Sequence, residues 1–223
     1  MSCFKIERKR KSMDKTEQKV YVIKAETPKG GKAYLISKRA FDIFFACVFG
    51  LFLILPMAVI ALIIKLDSKG PVLFRQERLG KDGKQFIMYK FRTMILDAER
   101  DGPQWAKPDD GRCTKVGRFL RRCRLDELPQ IINILRGDMS FVGPRPERPC
   151  FYEEFETYIH GFSNRLSVTP GLTGLAQVNG GYELAPEQKI VYDMEYIRTR
   201  TLLFDIKLMF KTVKLVFTHE GAR

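Results

Sequence analysis

The sequence predicts an α+β fold, mostly helical, in which a membrane helix precedes a β-hairpin and a domain carrying interfacial amphipathic helices. Three observations predict it. Residues 43–64 contain no charged side chain, and about twenty apolar residues are what a bilayer-crossing helix requires. Two runs rich in aromatic and β-branched residues, 72–79 and 85–92, flank Gly80-Lys-Asp-Gly83; Asp-Gly between such runs is a strong hairpin signal. Beyond the hairpin, apolar residues recur with helical spacing, as at Leu128, Ile131, Ile132 and Leu135.

Composition narrows the function. The chain has 223 residues, 45% of them hydrophobic, enough for one domain with a real core and appendages. A formal charge of +13 points to an anionic partner: nucleic acid, a membrane surface or a phosphorylated substrate. The five cysteines are odd in number and form no C-x-x-C pair, which argues against a disulfide framework or a zinc site and suits a reducing compartment. Two histidines leave little from which to build a metal cluster or a hydrolase triad, so any catalysis falls to carboxylates. A nucleic-acid binder accounts for the charge but not for the uncharged run, and no zinc-finger spacing or RRM-like aromatic motif is present. A membrane-anchored scaffold is the other non-enzymatic alternative.

Taken in order, residues 1–37 read as a mobile basic tail, with contact to anionic lipid as the alternative. Lys9-Arg-Lys11 has no long hydrophobic run behind it and is not a secretory signal. Residues 38–66 form the membrane segment. Pro56 lies inside the run, where it removes a backbone hydrogen bond and bends a helix. Both flanks are basic: Lys38 and Arg39 before the run, Lys65, Lys69, Arg75 and Arg78 after it. The positive-inside tendency holds both ends on the cytoplasmic side. A helix that enters, breaks at Pro56 and returns to the same face satisfies both facts. A spanning helix is the alternative; a buried soluble-core helix fits poorly, because the run is apolar all round.

Residues 67–223 then make up the domain. Arg78, Lys90 and Arg92, with Gln76, give the hairpin either a solvated basic face or an anion cradle. Residues 97–115 read as a long polar surface loop, a kind of segment that is often functional. A basic helix over 116–124 brings Arg118, Arg121 and Arg122 towards two adjacent carboxylates, Asp126 and Glu127. These stand where the next helix should begin, with Pro129 tolerable in its first turn and Gly137 placed as its C-terminal cap. Asp126 is either a simple N-cap or a group that handles phosphate just ahead of the stiff Gly143-Pro-Arg-Pro146 turn. Helical patterns follow over 151–162 and 186–198, separated by a turn, an extended piece and the Asn179-Gly-Gly181 loop. Over 202–217, Leu203, Ile206, Phe210, Val213 and Phe217 share one face while Lys207, Lys211 and Lys214 share another. Such a helix lies in a membrane interface or packs on the core.

A carboxylate can accept a phosphoryl group if cations neutralise the phosphate oxygens. Mg²⁺ takes one or two carboxylates plus phosphate oxygens, which suits an Asp-Glu pair. Adjacent carboxylates also oppose each other's ionisation unless a metal or an arginine offsets them, and Arg121 and Arg145 are the candidates for that role.

From Lys38 to the C-terminus the chain resembles the bacterial sugar transferase family, the monotopic polyprenyl-phosphate phosphoglycosyltransferases. The motifs that carry the resemblance are Lys38-Arg-Ala-Phe-Asp42, Phe74-Arg-Gln-Glu-Arg-Leu-Gly80, Tyr89-Lys-Phe-Arg-Thr-Met94, Arg121 with Leu125-Asp-Glu-Leu-Pro-Gln130, Gly137-Asp-Met-Ser-Phe-Val-Gly-Pro-Arg-Pro146, Pro170-Gly-Leu-Thr-Gly-Leu-Ala-Gln-Val178 and Asp193. They stand in the family's order. The resemblance implies transfer of a sugar-1-phosphate from a UDP-sugar to undecaprenyl phosphate, with UMP released, at the cytoplasmic face of the bacterial inner membrane. It implies Asp126 as nucleophile, and Glu127 holding Mg²⁺ with Asp126 or managing a proton. Arg145, between Pro144 and Pro146, would bind phosphate, supported by Arg121, Lys90, Arg92, Asp193 and Gln177. It also implies a re-entrant helix broken at Pro56, membrane lipids as partners, and downstream glycosyltransferases that consume the product. Two departures stand out. Family members often carry Ser beside the helix-breaking proline, where this chain has Leu55, and the compact members start near the Lys38-Arg39 position.

Overall fold

The computed structural model describes residues 20–100, 102 and 110–218. The basic stretch 1–19 and residues 101 and 103–109 of the expected loop lie outside them. The described chain runs β1 (Tyr21–Val22), α1 (Lys32–Asp67), β2 (Leu73–Leu79), β3 (Gln85–Phe91), α2 (Lys115–Arg122), a 3₁₀ turn (Leu125–Gln130) and α3 (Ile131–Arg136). It continues with β4 (Ser140–Val142), α4 (Pro149–Glu156), β5 (Ile159–His160), β6 (Gly171–Thr173), α5 (Leu175–Val178), α6 (Pro186–Thr199) and α7 (Leu202–Thr218).

Helix α1 is long and apolar enough to cross a membrane, with a mean hydropathy of 3.0 over its best window and only 11% of that window buried in the protein. Leu51, Phe52, Leu55 and Leu66 are each at least 70% exposed. A soluble core helix would bury such residues, so this exposure points away from that reading. At about 1.5 Å per residue its 36 residues extend roughly 54 Å. Pro56 lies inside a helix that continues on both sides of it. The expected break is therefore not an interruption: a proline deletes one backbone hydrogen bond, and the helix runs on around it.

Both halves of α1 touch the same domain. Near its start, Lys38 pairs with Asp205 at 2.8 Å, and the Asp42 carboxylate accepts from Ser140 Oγ at 3.0 Å and the Phe141 amide at 3.1 Å. Arg39 donates to the Ile134 and Leu135 carbonyls at 2.6 and 2.7 Å. Those carbonyls end α3, where a cation is favoured by the helix dipole. Towards the other end, Ile64 is buried with Phe91 and Leu120.

The hairpin forms where expected, antiparallel, with Leu73 opposite Phe91 and Leu79 opposite Gln85. Asp82 takes a left-handed conformation at φ 56° in the turn, which Asp tolerates better than most residues. The two other pairings are parallel, β4 with β6 and β1 with β5. The second of these corrects the boundary expected at residue 38. β1 is bonded to the domain, the Lys29 amide donates to the Ile197 carbonyl at 3.0 Å, and α1 begins at Lys32. Two-residue strands carry no periodicity that a sequence reading can detect.

The core gathers Ile134, Met139, Ile159, Phe162, Ile190, Met194, Ile197 and Leu208, all at most 1% exposed, from α3 to α7. Helix α7 turns Asp205 and Leu208 inward and leaves Leu203, Phe210 and Val213 exposed at 78%, 73% and 54%. The apolar face noted in the sequence is thus not the face that packs on the core.

Candidate active site

One cavity of about 310 Å³ collects most of the residues singled out above. Its floor is the hairpin, which contributes Gln76 and Arg78 from β2 and Lys90 from β3; α2 and the 3₁₀ turn supply Arg121, Asp126 and Glu127. The turn after β4 adds Arg145 and Glu147, and α5 and α6 add Gln177 and Lys189.

Local rules explain how the dyad is placed. Thr114 caps α2 by accepting from the Gly117 amide at 2.9 Å. Gly117 lies so close to strand-end residue Thr93 that a Cβ would stand 1.9 Å from the Thr93 carbonyl oxygen. That close approach lets Arg121 reach Thr93 Oγ1 at 2.9 Å and points the arginine at the cavity. The chain then reverses through Arg124, left-handed at φ 56°, a conformation that costs a non-glycine residue on the order of 1–2 kcal/mol. Asp126 and Glu127 follow in the first turn of the 3₁₀ segment. Arg124, not Asp126, holds the N-cap position, and no side chain caps there. The simple capping role is therefore excluded.

The two carboxylates differ. Glu127 is engaged: Lys90 Nζ lies 2.8 Å from its Oε1, and Arg145 donates to both its oxygens. Burial alone would raise its pKa, but Arg145 and Lys90 outweigh burial and hold the carboxyl well below the usual range. Asp126 is 7% exposed, and among the described residues nothing hydrogen-bonds or ion-pairs with its carboxylate. Burial first, then the Glu127 charge, push its pKa up to about 6 against the pull of Lys90, Arg121 and Arg145. The arrangement is one permanent anion that balances two cations, beside a second carboxylate poised to ionise near neutrality and free to react. It matches what a nucleophile or general base needs.

No group of three or more metal-ligating side chains occurs among the described residues. An Asp-Glu pair is nevertheless a fitting donor set for Mg²⁺, which keeps most of its shell for water and substrate phosphates. Asp126, not already held by a cation, is the better placed of the two.

Several expectations are revised. Arg92 borders the cavity, yet its guanidinium donates to the Ser68 and Lys69 carbonyls at 2.7 and 2.9 Å and to Ser68 Oγ at 2.8 Å. Its planar fork ties the end of α1 to β3, a clamping role alongside its place on the cavity wall. Asp193 is absent from the cavity wall; it pairs with Arg165 at 2.6 Å, both side chains 1% exposed. Pro144 and Pro146 are buried and frame the turn. Pro56 lies in α1, and Gln177 borders the cavity with its Nε2 on the Gly143 carbonyl at 3.4 Å. The sequence reading missed Glu147, which pairs with Arg78 at 3.1 Å, and Lys189, 3.9 Å from Glu147. Glu147 adjoins the Pro-Arg-Pro turn, a signal that was available; Lys189 had none.

Comparison with known proteins identifies the family. Residues 33–219 match the family model described as bacterial sugar transferase. The chain is 43% identical over 194 residues to a UDP-N-acetylgalactosamine-undecaprenyl-phosphate N-acetylgalactosaminephosphotransferase of Aeromonas hydrophila, covering 85% of this chain and 46% of that protein. It is 44% identical over 203 residues to the UDP-glucose:undecaprenyl-phosphate glucose-1-phosphate transferase of Escherichia coli K12, covering 88% and 43%. A protein of the same printed name from Caulobacter vibrioides is 41% identical over 194 residues, covering 84% and 72%. The chain thus spans less than half the length of the first two relatives. By the match along most of its length, the chain belongs to the bacterial sugar transferase family.

Proposed function

We propose that the protein transfers a sugar-1-phosphate from a UDP-sugar to undecaprenyl phosphate, in two half-reactions, at the cytoplasmic face of the bacterial inner membrane. The observation that carries this reading is the buried, unpaired Asp126 carboxylate among Lys90, Arg121 and Arg145. In the first half-reaction an Asp126 oxygen attacks the β-phosphorus of the donor, the bond to the bridging oxygen breaks, and UMP leaves with the electron pair. In the second, an oxygen of the lipid phosphate attacks the same phosphorus and restores the Asp126 carboxylate. Arg145 and Lys90 are held by Glu127 until diphosphate oxygens compete for them, so the cations are oriented before substrate arrives. Mg²⁺, held by Asp126 and Glu127 with the donor, would neutralise further phosphate charge. The product would feed glycosyltransferases that assemble a surface polysaccharide or glycan.

The contacts at both halves of α1 support a re-entrant course. Lys38, Asp42 and Ile64 all meet one domain, which suits a helix that bends at Pro56 and stays on one face of the bilayer. The exposed apolar residues of α7 suit a helix lying in the same interface.

The test is UMP release by the detergent-solubilised protein with Mg²⁺, undecaprenyl phosphate and a panel of UDP-sugars. One donor should support turnover, and Asp126→Asn should abolish it. A fully active Asp126→Asn protein overturns the mechanism. For topology, cysteines placed at residues 36 and 69 should be labelled from the same side; labelling from opposite sides overturns the re-entrant course.

A further inference from the structure

The turn that presents Arg145 is held by an unusual run of contacts. Five consecutive carbonyl oxygens each accept a hydrogen bond. Gly143 accepts from Gln177 Nε2 at 3.4 Å, Pro144 from the Gly171 amide at 2.9 Å, and Arg145 from Arg165 Nη2 at 2.9 Å. Pro146 accepts from Arg78 Nη1 at 3.0 Å, and Glu147 from the Leu79 amide at 3.1 Å. Pro144 and Pro146 add fixed φ angles on either side of Arg145. The side chain at the centre is the one that reaches Glu127 and the cavity.

The contact to the Arg145 carbonyl is made by a buried cation. Arg165 is 2% exposed and lies 4.9 Å over the Phe162 ring. The Nη2 that donates to the Arg145 carbonyl is the atom that pairs with Asp193 at 2.6 Å. Neither Arg165 nor Asp193 borders the cavity. A buried ion pair is weak evidence for stability, since well-packed apolar residues often do as well. Its position directly behind the Arg145 backbone, with one guanidinium nitrogen serving both partners, points to another role.

We propose that Arg165 and Asp193 are positioning residues. Asp193 orients the Arg165 guanidinium, Arg165 fixes the Arg145 carbonyl, and Arg145 is thereby aimed at the substrate phosphate. The proposal rests on the reading of Arg145 as a phosphate ligand. It gives Asp193 a role in the reaction without contact to substrate or metal.

The test is a double-mutant cycle in the full-length protein, with Asp193→Asn and Arg165→Lys each combined with Arg145→Lys. Each single positioning variant should lose about 10- to 100-fold in donor kcat/KM, the scale of a misplaced catalytic group. Each double variant should lose no more than Arg145→Lys alone, because both changes act through one side chain. Multiplicative losses overturn the proposal, as does wild-type activity in both single variants. Exchange of the Gly143, Arg145, Glu147 and Arg148 amides, followed in the same proteins, should quicken while the β2–β3 hairpin stays protected. Unchanged exchange there in both variants overturns the proposal independently of turnover. If no UDP-sugar supports turnover by the wild type, it is the proposed function that fails, and exchange still decides the positioning claim. Should Asp193→Asn not fold, Arg165→Lys carries both measurements.

Discussion

Two arginine–carboxylate pairs stand on either side of the Pro-Arg-Pro turn, and they differ in where they face. Arg145 and Glu127, with side chains 20% and 14% exposed, border the cavity, and Glu127 also pairs with Lys90. Arg165 and Asp193 are sealed behind it at 1% each. The chemistry of the groups is the same. What separates a site that can meet a ligand from one that can only brace it is access. In the proposed reaction the front pair would exchange its internal partners for phosphate oxygens; the rear pair, sealed from the cavity, would meet no such competitor. The family resemblance marks Asp193 beside Arg145 but does not mark Arg165, which is why Asp193 read as a residue supporting the phosphate site.

The comparison can be broken by substitution. The largest expected effect lies at the front: Asp126→Asn should lower UMP release by a factor of about 10³ or more, since the proposed nucleophile is gone. Arg145→Met should lower kcat/KM by about 10²- to 10³-fold, the usual loss for a preorganised charge stabiliser. Its unfolding midpoint should move little, because Glu127 keeps Lys90. Arg165→Met reverses the balance. Leaving Asp193 buried and unpaired should cost about 3–5 kcal/mol in denaturant unfolding. Similar stability losses at the two arginines would erase the distinction drawn here.

Acidity sharpens the same contrast. Asp126 lies at about 6 without a metal, and Mg²⁺ bound there would favour its ionised form, so the acid limb of kcat/KM should lie below pH 6, with about a tenfold fall per unit as the proposed nucleophile is protonated. Glu127→Gln removes the negative neighbour and should move that limb to lower pH. The sign for stability follows from linkage. A carboxyl whose folded pKa lies above its unfolded value destabilises the fold as pH rises from the unfolded to the folded pKa, here from roughly 4 to 6. Asp126→Asn should therefore gain on the order of 1–3 kcal/mol over wild type at pH 7.5 and almost nothing at pH 4. Glu127 behaves in the opposite sense. Its depressed pKa stabilises the fold above the ordinary Glu range, and that contribution declines as pH falls from that range to the depressed value. The smallest effect is expected at the periphery. Phe210→Glu on α7 should weaken binding to vesicles only slightly when measured by flotation, because α1 remains as an anchor.

Much of this was legible in the residues themselves. The uncharged run at 43–64, the Asp-Gly turn, the basic helix ahead of Asp126 and Glu127, and Gly137 at the end of α3 are local signals with local causes. So is the stiffness of Pro144-Arg-Pro146. What only the tertiary structure decided is how charges share partners. Arg92 and Arg145 look alike as basic residues in ordered motifs. One is consumed by the carbonyls at the end of α1, the other is left facing a cavity. Asp126 and Glu127 are neighbours in the chain, yet Glu127 is ion-paired with two cations and Asp126, among the described residues, with none. Burial and pairing depend on residues far away in sequence, brought together by the two parallel strand pairs and the packing of α1. Periodicity carries no record of those contacts, because a charge acts through space and not along the chain.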